Sequence, residues 1–150
     1  MERAAARTAF REIVADVALS DRDREFVASN RSAVMVTLKA DGTPHVARVG
    51  VGLVDGKLWS SGTQDRLRTK HLRRDPRCTL FVFSDDDRYQ WLGLETTVTI
   101  LDGPDAPELN LRLYRVLAGE PDDVDEYLRA MVDERRLIYE FEVGHTYGQV

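Results

Sequence analysis

A short basic segment carries the residues that are best suited to chemistry. The stretch "QDRLRTKHLRRDPR", residues 64–77, places six cations in a chain whose formal net charge is -5: Arg66, Arg68, Lys70, Arg73, Arg74 and Arg77. On a helix, Arg68 projects to the apolar side, whereas the other cations share the opposite face. Guanidinium groups bind phosphate bidentately, and a helix N-terminus favours an anion. We therefore predict that Arg66 and Arg68 bind a phosphate at the start of a helix.

Two neighbouring segments add hydrogen-bond donors and glycines, which leave the strand backbone uncovered, near this predicted phosphate site. Ser60, Ser61, Gly62 and Thr63 precede the helix and offer small hydroxyl and N–H donors. Further upstream, Arg48, Gly50 and Gly52 share one face of a predicted strand. Interior glycine weakens a strand unless something approaches its backbone closely. A flat ring lying across this strip, or a bulge or bend of the sheet, would each explain the glycines.

The hydrophobic pattern predicts six strands that position these residues. They are residues 33–39, 45–54, 57–62, 78–83, 88–101 and 136–143. Asp-Gly pairs at 41–42 and 55–56 are turn signals between consecutive strands. Mostly consecutive strands with a few peripheral helices favour a mainly β fold, a six-stranded antiparallel barrel.

Helical patterns lie around these strands. Helices are predicted at residues 3–19, 21–28, 107–117 and 123–133, besides the basic helix, with Ser20 and Asp23 as a capping box for the second of them. We expect Asp65 to cap the basic helix and Pro76 to help end it. The prediction is one domain, residues 1–150, with an N-terminal helical extension of about residues 1–29.

Composition limits the function classes. The 150 residues are 43% hydrophobic and 31% charged, as is usual for soluble globular proteins. No signal peptide or membrane-spanning run is recognised, and the single Cys78 fits a reducing compartment, so we expect a cytoplasmic protein. The acidic total disfavours a nucleic-acid binder. His45, His71 and His145 show no metal-ligand spacing, and no metal site is expected.

Three stretches of the chain carry a family resemblance. "VTLKADGTPHVARVGV" and "WSSGTQDRLRTKHLRRDPR", followed by an apolar strand, resemble the flavin-binding split-barrel superfamily named after pyridoxamine 5'-phosphate oxidase. The later "LYRVLAGEPDDVDEYLRAMVDERRLIYEFEVGHTYG" resembles the branch of that superfamily that uses the deazaflavin coenzyme F420. The resemblance covers roughly residues 26–148. Where relatives often have Gly and Ala after a strand glutamate, this chain has Glu95-Thr96-Thr97, so the resemblance does not carry over the local backbone path or the shape of the pocket there.

The resemblance implies a homodimer with two cofactors, each lying between the two barrels. Carried onto this sequence, Ser61, Arg66 and Arg68 would contact the phosphate region, and Arg48 and Val49 would lie along the ring or linker. Tyr89 and Trp91, from the partner's long strand, would line the ring and the substrate. The full predicted cofactor-binding set is Arg48, Val49, Ser60, Ser61, Gly62, Thr63, Arg66, Arg68, Thr69, Tyr89 and Trp91.

The implied activity is hydride transfer between reduced F420 and a small unsaturated or otherwise reducible molecule. No protein nucleophile is implied, and solvent or Tyr89 is the candidate proton source. The coenzyme carries a phosphodiester and an oligoglutamate tail, which would account for the cations beyond the phosphate site, although these could equally form a solvated helix face. The alternatives are an FMN-dependent oxidoreductase on the same fold and a non-catalytic F420 carrier.

Overall fold

The computed structural model describes residues 19–150, which form an antiparallel sheet with four helices around it. The strands are β1 (Ser32–Leu38), β2 (Pro44–Gly50), β3 (Gly52–Val54), β4 (Lys57–Thr63), β5 (Arg77–Phe83), β6 (Trp91–Leu101) and β7 (Arg136–Gln149). The helices are α1 (Asp21–Ser29), α2 (Leu67–Arg74), α3 (Ala106–Ala118) and α4 (Val124–Asp133). The mainly β prediction is confirmed. The helix predicted at residues 3–19 lies outside the described residues.

The sheet curls on itself because one chain segment forms both of its ends. The strand order is β2-β1-β5-β6-β7-β4-β3, and only Val51 separates β2 from β3 in sequence. The Val51 N–H donates to the Arg31 carbonyl (2.8 Å), and the Ser60 hydroxyl donates to the Gly50 carbonyl (2.7 Å), which ties β4 to β2. The predicted strand at residues 45–54 is therefore two strands, and the barrel has seven strands instead of six.

Alternating side chains of the strands fill the barrel interior. The main core includes Ala33, Met35, Val49, Val51, Leu80, Val82, Leu92, Leu94, Leu137, Tyr139, Phe141 and Val143. A smaller cluster between the sheet and α3 contains Val54, Trp59, Leu113 and Ile138. The sheet is thus covered by α3 on part of its outer face.

Close packing of α3 explains one of the two strand glycines. A Cβ on Gly52 would lie 3.1 Å from Leu113 and 3.2 Å from Leu117, both on α3. Gly50 has no such neighbour closer than 3.7 Å and is exposed. The absence of a side chain at Gly52 is therefore explained by the packing of α3, and no flat ring is needed to explain it.

The basic helix is shorter than its charge pattern suggests. Its N-cap residue is Arg66, which makes no side-chain capping bond, and it ends before Asp75. The predicted cap Asp65 instead pairs with Arg135 at 3.1 Å, so that prediction is wrong. Arg77 is the first residue of β5 and does not belong to the helix face.

The strand predicted at residues 88–101 begins three residues later, at Trp91. The Asp87 carboxylate accepts the Tyr89 backbone N–H (2.9 Å), which holds Tyr89 in a turn. The pairing of β6 with β7 shifts register between Glu95 and Thr96, because Gly144 is an additional residue on β7, a β-bulge, whereas β6 keeps its register with β5 through Thr97.

None of the four described helices is both long and apolar enough to cross a bilayer.

Candidate functional site

The start of α2 rests on a buried hydrogen-bond network. The Thr69 hydroxyl donates to the Thr63 carbonyl (2.7 Å), and the Tyr139 hydroxyl is bonded to the same Thr69 oxygen. Since the Thr69 proton is used on Thr63, the phenol is the donor in the second bond. Tyr139 reaches this position only because Gly62 has no side chain: a Cβ there would lie 2.3 Å from the phenol oxygen. This network fixes the corner at which β4 leads into α2.

Arg68 lies half-buried on this network with an unsatisfied donor. Its guanidinium carbon is 5.8 Å from the centre of the Tyr139 ring, and its Nε is buried without a hydrogen-bond partner. Burial is the main cause that lowers the pKa of Arg68, and the positive charges of Arg66 and Arg136 lower it further, while Tyr139 opposes them. A buried guanidinium N–H that lacks an acceptor is costly. An anionic ligand at this corner would remove that cost.

Three cations at the start of α2 have no carboxylate partner. Within residues 19–150, no carboxylate forms an ion pair with Arg66, Arg68 or Lys70. By contrast, Arg73 pairs with Asp102 (2.9 Å) and Arg77 pairs with Asp75 (2.8 Å).

The Arg74 guanidinium donates to the Leu38 carbonyl. Of the four cations predicted to extend the phosphate site, three therefore have partners in the protein, and Lys70 remains.

The hydroxyl groups before the helix are largely engaged within the fold. Ser60 is 1% exposed and bonds to the Gly50 carbonyl across the barrel. The Ser61 hydroxyl donates to Asn110 Oδ1 of α3 at 2.5 Å. Ser61 and Thr63 are half-buried, whereas Thr69 is fully buried. Of the predicted hydroxyl donors, those of Ser61 and Thr63 are the more accessible ones.

The remaining predicted cofactor residues lie on other parts of the sheet. Arg48 is exposed on β2, and the side chain of Val49 belongs to the barrel core, so only the Val49 backbone could meet a ligand. Tyr89 is 66% exposed, with the Arg88 guanidinium 5.3 Å from its ring centre. Among the described residues, no hydrogen bond or aromatic contact joins Tyr89 or Trp91 to the start of α2.

The outer face of β5, β6 and β7 carries an exposed aromatic cluster. Phe81 stacks on Trp91 with ring centres 5.4 Å apart, and Trp91 meets Tyr147 edge-on at 6.0 Å. Phe81 is 37% exposed and Tyr147 is 44% exposed. Gly93 makes room for Tyr147, since a Cβ there would lie 2.4 Å from its ring. Contiguous exposed apolar surface of this kind marks contact sites.

Three cavities open elsewhere on the chain. One of 390 Å³ is bordered by Lys57 and Glu140, one of 530 Å³ by Cys78 and His145, and one of 370 Å³ reaches Arg136. Neither Arg66 nor Arg68 borders any of them. The described residues hold no cluster of three or more His, Cys, Asp or Glu side chains suited to a metal ion.

Two residues of this region were not predicted from the sequence. Asn110 is 2% exposed on the buried face of α3 and accepts the Ser61 hydroxyl. The sequence does contain a sign of this role, because Asn110 is a single amide among the apolar positions of α3. Arg136 begins β7 and has a buried Nε without a partner. The sequence shows Arg136 only as one of two adjacent arginines, Arg135 and Arg136, and gives no sign that its side chain is more buried than that of its neighbour.

Comparison with known proteins gives the family. Residues 19–148 match the family described as pyridoxamine 5'-phosphate oxidase. Similar solved structures include a conserved hypothetical protein of Mycobacterium tuberculosis, at 21% identity and a TM-score of 0.75, covering 87% of this chain and 83% of that one. A structure named F420 reductase has 18% identity and a TM-score of 0.67, covering 83% and 94% of the two chains.

A third structure is an FAD-binding protein of Mesorhizobium loti, with 18% identity and a TM-score of 0.59, covering 87% of this chain and 94% of that one. At these identities the structures show a shared fold, and the sequence match extends over nearly all of the described residues. The chain therefore belongs to the pyridoxamine 5'-phosphate oxidase family.

Proposed function

We propose that this protein is an F420-dependent oxidoreductase that transfers a hydride between the reduced coenzyme and a small unsaturated or otherwise reducible organic substrate. The observation that carries this proposal is Arg68, a half-buried guanidinium with an unpartnered Nε at the start of α2. A coenzyme phosphodiester would supply the missing acceptor. A member of the same fold is named F420 reductase, which supports the choice of coenzyme.

The charge distribution fits a coenzyme that is anionic along its length. Arg66 and Arg68 would hold the phosphodiester, and Lys70, one turn along α2, would attract the glutamate tail through the solvent. FMN has one terminal phosphate and needs fewer cations. When bound, the deazaflavin would supply a hydride from C5, and the protein would orient the ring and exclude water from it.

We propose that two chains assemble through the aromatic cluster on β5, β6 and β7. Such an assembly would cover Phe81 and Tyr147 and would bring Tyr89 and Trp91 of one chain toward the coenzyme of the other. We further propose a cytoplasmic location, where a reducing environment would keep Cys78 as a thiol.

A flavin enzyme is the second candidate, because one structure with this fold is an FAD-binding protein. A non-catalytic F420 carrier is the third, since the start of α2 presents cations that could bind the coenzyme without any catalytic step. Titrating the purified protein with F420 and, separately, with FMN while following ring fluorescence distinguishes these functions. We expect F420 to bind more tightly. Tighter FMN binding, or no binding of either, would contradict the proposal, and F420 binding without turnover of any acceptor would favour the carrier.

The phosphate site is tested by the double variant Arg66→Ala/Arg68→Ala. Each charge-assisted hydrogen bond contributes about 1.5–3 kcal/mol, so we expect the loss of two to raise the Kd for F420 by roughly 100-fold or more. The matched control is Arg73→Ala/Arg77→Ala, which removes two cations that are paired with Asp102 and Asp75. If both double variants weaken binding equally, the effect is general charge attraction and the assignment of the phosphate ligands is wrong.

A further inference from the structure

One cavity lies at the point where the described part of the chain begins. It has a volume of 390 Å³, and it is bordered by Leu19 and by the apolar residues Leu58, Phe141 and Val143. The last three belong to the main core, and Leu19 packs against the same cluster. Protein interiors leave few voids larger than a water molecule, so a space of this size beside the core has room for further apolar side chains.

The same cavity adjoins an open edge of the sheet. The pairing of β7 with β4 runs from Arg136 to Phe141 and stops there, whereas β7 continues to Gln149 and stays paired with β6 on its other side. Within residues 19–150, no strand takes the β4 side of β7 beyond Phe141, and Glu142 and Val143 border the cavity at this place. Open strand edges invite pairing with other chains, and proteins commonly cover them with a helix or a loop.

The rim of the cavity carries both signs of charge. Lys57 and Glu140 form an ion pair across 3.5 Å, and Arg24 donates to the Gly56 carbonyl at 3.5 Å. Among residues 19–150, Arg24 and Glu142 form no ion pair. A rim of two cations and two anions selects neither a strongly anionic nor a strongly cationic ligand. It fits an occupant with apolar side chains and charges of both signs.

The segment of chain that precedes Leu19 has this composition. Residues 1–18 contain three arginines and three acidic residues, and their apolar residues recur at helical spacing: Phe10, Ile13, Val14 and Val17. Covalent geometry limits the distance between the Cα atoms of Val17 and Leu19 to about 7 Å. Val14 is five residues from Leu19, which corresponds to about 8 Å along a helix. The sequence therefore brings these apolar side chains to the wall of the cavity.

We propose that residues 3–18 are a docking segment, whose apolar side chains fill this cavity and cover the open edge of β7 in the same chain. The cavity lies at the Lys57 end of β4, about 20 Å from the Thr63 end that leads into α2. The inference therefore does not depend on the proposed function. The docked segment would keep the apolar surface and the strand edge from pairing with other chains.

The test uses full-length variants and measures hydrogen exchange of the backbone amides of residues 142–144. Val14→Asp/Val17→Asp places two charges on the apolar side of the segment, where docking would have to desolvate them. We expect exchange at least about tenfold faster than in the wild type. The matched control is Thr8→Asp/Ala15→Asp, which makes the same change in charge on the opposite side of the predicted helix. We expect this control to exchange within about twofold of the wild type.

The docking segment is rejected if both double variants exchange at the wild-type rate, or if the control accelerates exchange as much as Val14→Asp/Val17→Asp does. Protection that increases with protein concentration would assign the cavity to a second copy of the chain and would also overturn the proposal. Should Val14→Asp/Val17→Asp fail to fold, Val14→Ala/Val17→Ala decides, since it only removes apolar surface. Wild-type exchange in that variant would contradict docking through these side chains.

Discussion

Gly62 and Tyr139 depend on each other in a way that affects the whole corner. The phenol crosses the backbone of Gly62 to reach Thr69, and Tyr139 is fully buried, so the ring has no room to move away. A residue that was predicted as a ligand-facing glycine therefore has an internal function. Position 62 of β4 must lack a side chain so that the Tyr139 ring can pack there and hydrogen-bond to Thr69 at the start of α2.

Gly62→Ala is expected to destabilise the protein strongly. The added methyl group would overlap the hydroxyl oxygen and two ring carbons of Tyr139, and overpacking of this kind costs roughly 1–3 kcal/mol, with the rigid surroundings favouring the upper end. Urea unfolding followed by circular dichroism measures the change. The control is Gly50→Ala, where the new methyl group meets its first neighbour at an ordinary 3.7 Å. Equal stability of the two variants would show that the ring yields easily.

At the scale of elements, α2 is docked on β1 through a buried histidine. His71 Nδ1 is hydrogen-bonded to the Thr37 hydroxyl at 2.9 Å, and its ring meets that of His45 edge-on with centres 5.1 Å apart. Burial lowers the pKa of His71, and the nearby His45, Arg74 and Lys39 lower it further. The folded protein thus holds this imidazole neutral where an unfolded chain would begin to protonate it.

This predicts a loss of stability as pH falls below about 6.5, the ordinary pKa of histidine. The unfolded chain binds the proton first, so protonation favours unfolding until the pH falls below the lowered pKa of the folded state. Unfolding free energies measured between pH 7.5 and pH 5 should decline less steeply for His71→Gln than for the wild type. A wild-type slope in His71→Gln would contradict the assignment.

The elements also show what the sequence could and could not predict. Alternation of apolar residues located most strands, because burial on one face follows directly from side-chain direction. It missed the break at Val51 because Val49 and Val51 both point into the core, so the pattern continues while the hydrogen-bond partner changes from β1 to β4. Which neighbouring strand a segment pairs with is decided by its backbone hydrogen bonds, and the alternation of side chains does not reveal it.

The site was predictable to a similar extent. Charge and helix position identified Arg68, since both are local in sequence. The pairing of Arg73 with Asp102 depends on a residue that is distant in sequence, and it could not be anticipated. The same holds for the capping role predicted for Asp65, which a partner at Arg135 overrides.

At the scale of the whole molecule, the proposed dimer predicts a change in assembly when the aromatic cluster is charged. Phe81→Lys would place an ammonium group on the face that two chains bury together, where a desolvated unpaired charge is strongly unfavourable. Sedimentation velocity should show mainly monomers for this variant and dimers for the wild type. The control is Val132→Lys, at a position 61% exposed on α4 and outside that face. A monomeric wild type would reject the dimer, and a dimeric Phe81→Lys would place its interface elsewhere.

The position of β7 in the sheet has a consequence for the order in which the protein can fold during synthesis. β7 follows the other six strands of residues 19–150, yet it lies between β6 and β4 and pairs with both. Until the ribosome has released residues 136–149, β6 and β4 each keep one edge without its partner, and the two parts of the sheet are held together only through the segment around Val51. Such edges invite pairing with other chains. A ribosome stalled before β7 would therefore expose the nascent barrel at its most aggregation-prone stage, and chaperones would be expected to engage it there.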